Sequence, residues 1–198
     1  MARTGRPREF DRDKAIEIAM NTFWEKGFES TSLADLRQVL NLSAASFYAA
    51  FGSKKKLYEE CLAKYTETCG QVTSYLNDPL LSPREAMLNM LSRTVFVQTS
   101  SDSPAGCMAV LSGLNCCDEN KEIEHLTAEV RKRTRDAIQQ CVIRGIECGE
   151  LAKDTNIDGY SLMLDCFVKG ISLQAKDGIS KDMLMVAVNQ IMQSWRAL

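Results

Sequence analysis

Gly27-Phe28-Glu29-Ser30-Thr31-Ser32-Leu33-Ala34-Asp35-Leu36 and, six residues on, Leu42-Ser43-Ala44-Ala45-Ser46-Phe47-Tyr48-Ala49-Ala50-Phe51-Gly52-Ser53-Lys54 decide how this chain is read. Thr31 or Ser32 is placed to cap a short helix whose inward positions are Leu33, Leu36, Val39 and Leu40. A break at Asn41-Leu42 precedes a second cap, Ser43, and a second short helix carrying Phe47, Tyr48 and Phe51. Two short helices joined by a tight turn, with one supporting helix before them, can set a recognition helix into a DNA major groove. The supporting helix is present too. It starts after Asp11, carries Ile16, Ala19, Met20, Phe23 and Trp24 on one stripe, and ends at Gly27, suited to a left-handed C-cap.

Helical periodicity continues through the rest of the chain, and no strand-like alternation interrupts it. A long helix is expected from Lys54 to about Leu76, with Leu57, Cys61, Leu62, Tyr65, Cys69 and Val72 on its stripe. Pro83 opens a helix to about Gln98, and Ser103-Pro104 opens a short one through Cys107, Leu111 and Leu114. A long amphipathic helix follows from about Asn120 to Cys148, with Ile123, Leu126, Val130, Ala137, Ile138 and Cys141 inward. Its Arg131-Lys132-Arg133 and Arg135 cluster reads as a solvated face. The last two helices, near 157–176 and 181–195, are apolar on more than one face, which calls for a second surface, and a two-fold partner supplies one. A deep monomer core is the alternative.

Composition narrows the function classes. The chain has 198 residues and a net charge of -2, with 45% hydrophobic and 25% charged residues. Residues 1–56 hold ten Lys and Arg against seven Asp and Glu, so a basic front end sits on an acidic body. No stretch reaches the roughly 18 apolar residues that span a bilayer, and no signal-peptide core is seen, so a cytoplasmic protein with no membrane partner is expected. Eight cysteines, one histidine (His125) and no Cys-x-x-Cys argue against a disulfide scaffold and against a zinc site. No metal and no cofactor is expected. A phosphate-binding glycine loop and a nucleophile–base pair are both missing, which argues against an enzyme; a helical adaptor that binds no DNA is the other class considered.

The segment quoted at the outset closely resembles the N-terminal domain of the TetR/AcrR regulator family, convincingly over about residues 9–62. Shared features are the Gly-aromatic end of the first helix, the Thr/Ser cap, the Asp-Leu pair, the Leu-Ser turn, the aromatic-Tyr pair and the closing Phe-x-Ser-Lys. The resemblance implies an all-α fold, with a three-helix helix-turn-helix DNA-binding domain followed by a helical-bundle regulatory and dimerisation domain. The expected division is a basic arm at 1–8, the DNA-binding domain at 9–56, and an effector-sensing and dimerisation domain at 57–198. It further implies that Thr31, Tyr48 and Lys54 contact phosphates, and that Ser43, Ala44, Ala45, Ser46 and Ala49 face the groove. Lys54 also opens a helix, whose N-terminal dipole favours phosphate. Arg37 is a candidate for another backbone contact, and Arg6, in the arm Arg3-Thr4-Gly5-Arg6-Pro7-Arg8, for a minor-groove contact. The recognition helix departs from the usual pattern in lacking Arg, Asn and Gln on its groove face, so serine hydroxyls, alanine contacts to thymine methyls and DNA shape are left to read sequence.

The function that follows is a homodimeric repressor of double-stranded operator DNA, paired through its last two helices and released by a small-molecule or reactive effector. Two effector sites are candidates. In Pro104-Ala105-Gly106-Cys107 the thiol is expected in the first turn of a helix, where the dipole lowers its pKa and Gly106 leaves room for an oxidant or electrophile; Cys116 would be its partner. Family members with a Gly-Cys here look like thiol sensors. The other candidate is an apolar pocket among Met87, Met90, Phe96, Met108, Tyr160, Met163 and Phe167, with no redox role. Cys61, Cys69, Cys141 and Cys166 read as packing.

Overall fold

The computed structural model describes residues 11–196, and every regular element among them is helical. The basic arm with Arg6 lies outside the described residues. The first helix, α1 (Arg12–Lys26), starts where Asp11 accepts a hydrogen bond from the Lys14 amide at 3.0 Å. Its Ala15, Ile16, Ala19, Met20, Phe23 and Trp24 face inward. Gly27 ends it at positive φ (82°) but with an extended ψ of 164°, rather than in the left-handed helical region expected. Helices α2 (Leu33–Leu40) and α3 (Ala44–Phe51) follow, joined through Asn41, which does take the left-handed conformation. Of the four inward positions expected on α2, only Leu36 is buried; Leu33 and Leu40 pack partly, and Val39 is exposed.

Helix α4 (Lys54–Glu67) packs along α1. It stops nine residues short of the expected Leu76, and a 3-10 turn covers Gln71–Asn77. The chain kinks where Gly70 passes so close to Thr66 and Tyr65 that a Cβ would lie 3.0 Å from their backbones. Ser82 and Glu85 form a capping box at the start of α5 (Pro83–Gln98), with proline in the first turn. A four-residue helix, α6 (Met108–Leu111), precedes the long α7 (Lys121–Glu147), α8 (Ile157–Lys176) and α9 (Lys181–Ile191). Ser103-Pro104 starts no helix, so Cys107 is the N-cap of α6 rather than part of its first turn.

Two apolar clusters hold these helices together. The front one joins α1–α4 to α6 and the first turn of α7, through Phe23, Trp24, Phe28, Phe47, Phe51, Tyr58 and Tyr65. Tyr58 stands edge-on to Phe23 and Phe28, each centroid 5.1 Å away, a geometry worth roughly 0.5–1.5 kcal/mol per pair beyond burial. The rear one gathers α5, α7, α8 and α9 around Met87, Met90, Leu91, Val95, Ile138, Leu164 and Val188. No described helix is long and apolar enough to cross a membrane.

Candidate nucleic-acid interface and effector cavity

Each helix of the turn motif is fixed by a side-chain cap. Ser32 and Asp35 form a reciprocal capping box on α2. Ser43 caps α3 by accepting from the Ser46 amide at 3.1 Å, and the two hydroxyls lie 2.9 Å apart. Phe47 and Phe51 anchor α3 inward. Ser43, Ala45, Ser46, Tyr48 and Ala49 are thereby turned outward and exposed, with Ala44 half-buried at the edge. Tyr48 is 52% exposed, a large aromatic held out on a face of small residues. Lys54 begins α4, its ammonium 4.1 Å above the Phe28 ring; burial lowers its pKa while the neighbouring Glu29 carboxylate acts the other way.

The front core is tied to the segment around α6 at both ends. Trp24 Nε1 donates to Gly106 O at 3.1 Å, and the Gly106 amide donates to Gln98 O at 2.9 Å. Beyond α6, Ser112 O accepts from the Phe28 amide at 2.7 Å, and its hydroxyl lies 2.6 Å from that of Tyr58. Glu29 then accepts from the Cys117 amide and from Asn120 Nδ2, contacts that hold its carboxyl below the usual range.

Under α6 lies a cavity of about 50 Å³, bounded by Tyr65, Cys69 and Gly70 on one side and Val97 and Gln98 on another. Cys107, Ala109 and Val110 roof it, and Val130, Arg131, Thr134, Asp165, Val168, Lys169 and Ser172, with Thr66 and Val72, complete the wall. Its lining is mostly apolar. Asp165 is wholly buried, with Lys169 on one oxygen and Arg135 Nη1 3.8 Å from the same atom.

Residues 15–61 match the pattern described as "Bacterial regulatory proteins, tetR family". Over 195 residues the chain is 28% identical to the HTH-type transcriptional repressor ComR of Escherichia coli K12, covering 98% of this chain and 93% of ComR. It is 35% identical over 117 residues to the repressor BdcR of the same organism, spanning 58% of this chain and 57% of BdcR. A solved structure of the TetR family transcriptional regulator CifR, a cysteine mutant complexed with 26-bp double-strand operator DNA, superposes with a TM-score of 0.87. The two are 35% identical, over 96% of this chain and all of CifR. This chain belongs to the TetR family.

Its relatives are transcriptional regulators, not enzymes. Against the roles the TetR resemblance implied, the structure departs at Thr31. Thr31 is fully buried, and its hydroxyl donates to Gly27 O at 2.6 Å; it holds the α1–α2 turn and does not face outward to a phosphate. Arg37 is half-buried, with its Nε enclosed. Arg131 donates to Ala109 O and Lys132 pairs with Asp136, so the basic cluster of α7 is partly engaged within the chain.

The two effector sites expected from sequence are both redrawn. None of Met87, Met90, Phe96, Met108, Tyr160, Met163 and Phe167 lines the cavity. Met87, Met90 and Met108 are core with no exposure, and Phe96 lies outside beneath Arg93 and Lys181. Met163 is exposed on α8, Tyr160 bonds Ser194, and Phe167 packs on the rear core. Cys107 does line the cavity, but its thiol is pushed up by burial; the Tyr65 hydroxyl, donating at 3.2 Å, and the α6 amides oppose this without overcoming it. Gly106 gives no room to a reagent. At φ 83°, a Cβ there would lie 2.5 Å from Leu111 Cδ1 and 2.7 Å from Ser172 O, so glycine serves close packing. Cys116 is buried, its thiol pushed up by burial and by Glu29 and Glu124. Cys166, read as packing, is exposed. Gln98, Asp165 and Ser172 were missed. The usable signal was the α8 stripe 161, 164, 165, 168, 171, 172 and 175, whose helical spacing carries three polar residues to the buried side.

Proposed function

We propose that this chain is a cytoplasmic, homodimeric repressor that holds double-stranded operator DNA through α2 and α3 and releases it when an effector enters the cavity under α6. The observation that carries the reading is the outer face of α3: small, polar, capped and exposed, with Tyr48 standing at its edge. CifR, similar along its whole length, is solved with operator DNA. Ser43, Ala44, Ala45, Ser46 and Ala49 form the groove-facing surface, Tyr48 and Lys54 contact phosphate, and Arg6 and Arg37 add flanking contacts. The division of labour is an arm at 1–8, the DNA-binding unit at 9–56, and the sensing and dimerising unit at 57–198.

Dimerisation is supported by apolar residues that α8 and α9 leave uncovered. Leu162, Cys166 and Leu173 are exposed along α8, and Met183 and Val186 are exposed on α9. Burying this face against its two-fold copy spaces the recognition helices for half-sites about 34–36 Å apart. Effector entry displaces α6, and the Trp24–Gly106 and Phe28–Ser112 bonds carry that shift to α1 and the α1–α2 turn.

A second form of the effector step is modification of Cys107, favoured by its place on the cavity wall. Burial pushes the Cys107 thiol up, which disfavours its thiolate, and the unpaired polar atoms of the cavity wall favour reversible occupancy as the primary reading. Duplex binding by the full chain tests the proposal. Sequence-specific binding by a dimer, weakening steeply with salt, is the expected result. A chain monomeric at micromolar concentration, or one with no preference among the duplexes recovered by site selection, overturns it.

A further inference from the structure

Three enclosed polar atoms on the cavity wall have no hydrogen-bond partner within the chain: Asp165 Oδ1, Gln98 Oε1 and Ser172 Oγ. Their residues are 0%, 4% and 0% exposed. Buried polar groups are almost always paired, so three unpaired in one small apolar space mark it as shaped for something with complementary groups. Gln98 comes from the end of α5, and Asp165 and Ser172 lie two turns apart on α8. Two of the three atoms are acceptors only, so the complement must bring donors.

Charge narrows the class further. Asp165 already has Lys169 on its other oxygen and Arg135 nearby, and Arg131 lines the same wall. A cation entering would meet Lys169 and Arg131 on the wall beside a carboxylate already matched. An anion would set its charge against Asp165 Oδ1 and Gln98 Oε1. A neutral molecule avoids both penalties. The volume, about 50 Å³, corresponds to about four water-sized positions at roughly 10–15 Å³ each, so the occupant has only a few heavy atoms.

We infer that the cavity binds a small neutral molecule with two hydroxyl-type donors on a short apolar carbon frame, a short-chain diol being the simplest case. The inference rests on the proposal that this cavity is the effector site, and it specifies what the effector is made of. Hydroxyls donate to Asp165 and Gln98, Ser172 completes the set, and the carbon frame lies against Val97, Val110 and Val168.

Calorimetric titration of the full chain with propanediol, propylammonium and propionate, each alone, is the test. Propanediol is expected to bind about tenfold or more tightly than either ion, and Ser172→Ala and Gln98→Met each to weaken it about tenfold, given what one buried hydrogen bond is worth. A parent-like helical spectrum checks each variant's fold, and the parent titration stands even if one variant fails to fold. Tighter binding of either ion, no binding of the diol, or unchanged affinity in both folded variants overturns the inference. Operator binding measured in parallel separates the two claims. A diol that binds as expected but leaves DNA bound supports the ligand chemistry and overturns the effector role. DNA release by a thiol reagent, with no diol bound, overturns the ligand chemistry and leaves effector-controlled release standing.

Discussion

The front and rear cores are built from different materials. Around α1–α4 the interior is aromatic, and its enclosed hydroxyls are engaged: Thr31 on Gly27 O, Tyr58 on Ser112, Tyr65 on Cys107. Around α5 and α7–α9 it is mainly aliphatic, with Met87, Met90 and Met192 among the branched side chains, and Ser161, Asp165, Ser172 and Gln98 keep enclosed atoms without partners in the chain. Interlocked rings with few rotamers fix one arrangement, whereas methionine adapts to several. The difference suits the two tasks. A surface that meets DNA in one register needs a rigid support, and the proposed role of the rear region, answering a ligand, needs polar groups left free for one.

The largest test of this contrast is core truncation. Phe47→Ala, which removes the ring anchoring α3, is expected to cost about 3–5 kcal/mol in urea unfolding, whereas Met90→Leu in the rear core costs under about 1.5 kcal/mol. Comparable losses would mean that the rear core is as closely fitted as the front, and the contrast would fail. Next comes the strap between the cores. Gly106→Ala forces a side chain into a positive-φ position against Ser172 O and is expected to cost about 1–3 kcal/mol. Unfolding that stays within experimental error of the parent would show that the strap yields, and would remove the rigid link from cavity to α1.

How far each region was legible follows the same division. The starts of α1, α2, α3, α5 and α8 are local events, each written in a cap within four residues: Asp11, Ser32, Ser43, Ser82 and Asn156. The outward set on α3 was legible for the same reason, because Phe47 and Phe51 fix its phase. Thr31 was misplaced because its hydroxyl is claimed by Gly27 O, across a turn whose path no periodicity reports. The end of α4 was hidden because the apolar stripe continues through Val72 while the backbone turns at Gly70. The cavity was the least legible feature. Its walls come from α4–α8 and meet only in the tertiary structure, and Met87, Met90 and Met108, which looked like a pocket, fill space instead.

Tyr48→Phe probes the front surface without touching its core. Loss of the exposed hydroxyl proposed to meet phosphate is expected to weaken binding to all duplexes alike by about tenfold, read by fluorescence anisotropy at fixed salt. A loss confined to one sequence would make Tyr48 a base reader and move specificity onto it; no loss would take it out of the contact set.

The smallest effect sharpens the comparison by removing what the regions share. Ser32–Asp35 in front and Ser82–Glu85 behind are the same capping box, so Ser32→Ala and Ser82→Ala are each expected to cost about 1 kcal/mol. The front box carries a pH signature. Hydrogen bonds from the Ser32 hydroxyl and amide, helped by Lys26, hold the Asp35 carboxyl below its ordinary 3.8. A depressed carboxyl contributes stability that is full above the ordinary value and is lost as pH falls through the folded one. The gap between parent and Ser32→Ala should therefore be constant near neutrality and narrow once pH drops below 3.8, leaving the share owed to the Asp35 amide bond. Equal costs at neutral pH would locate the difference between front and rear in tertiary packing alone. A markedly larger cost at Ser32 would mean that the front's rigidity begins in its helix caps, before any ring is buried.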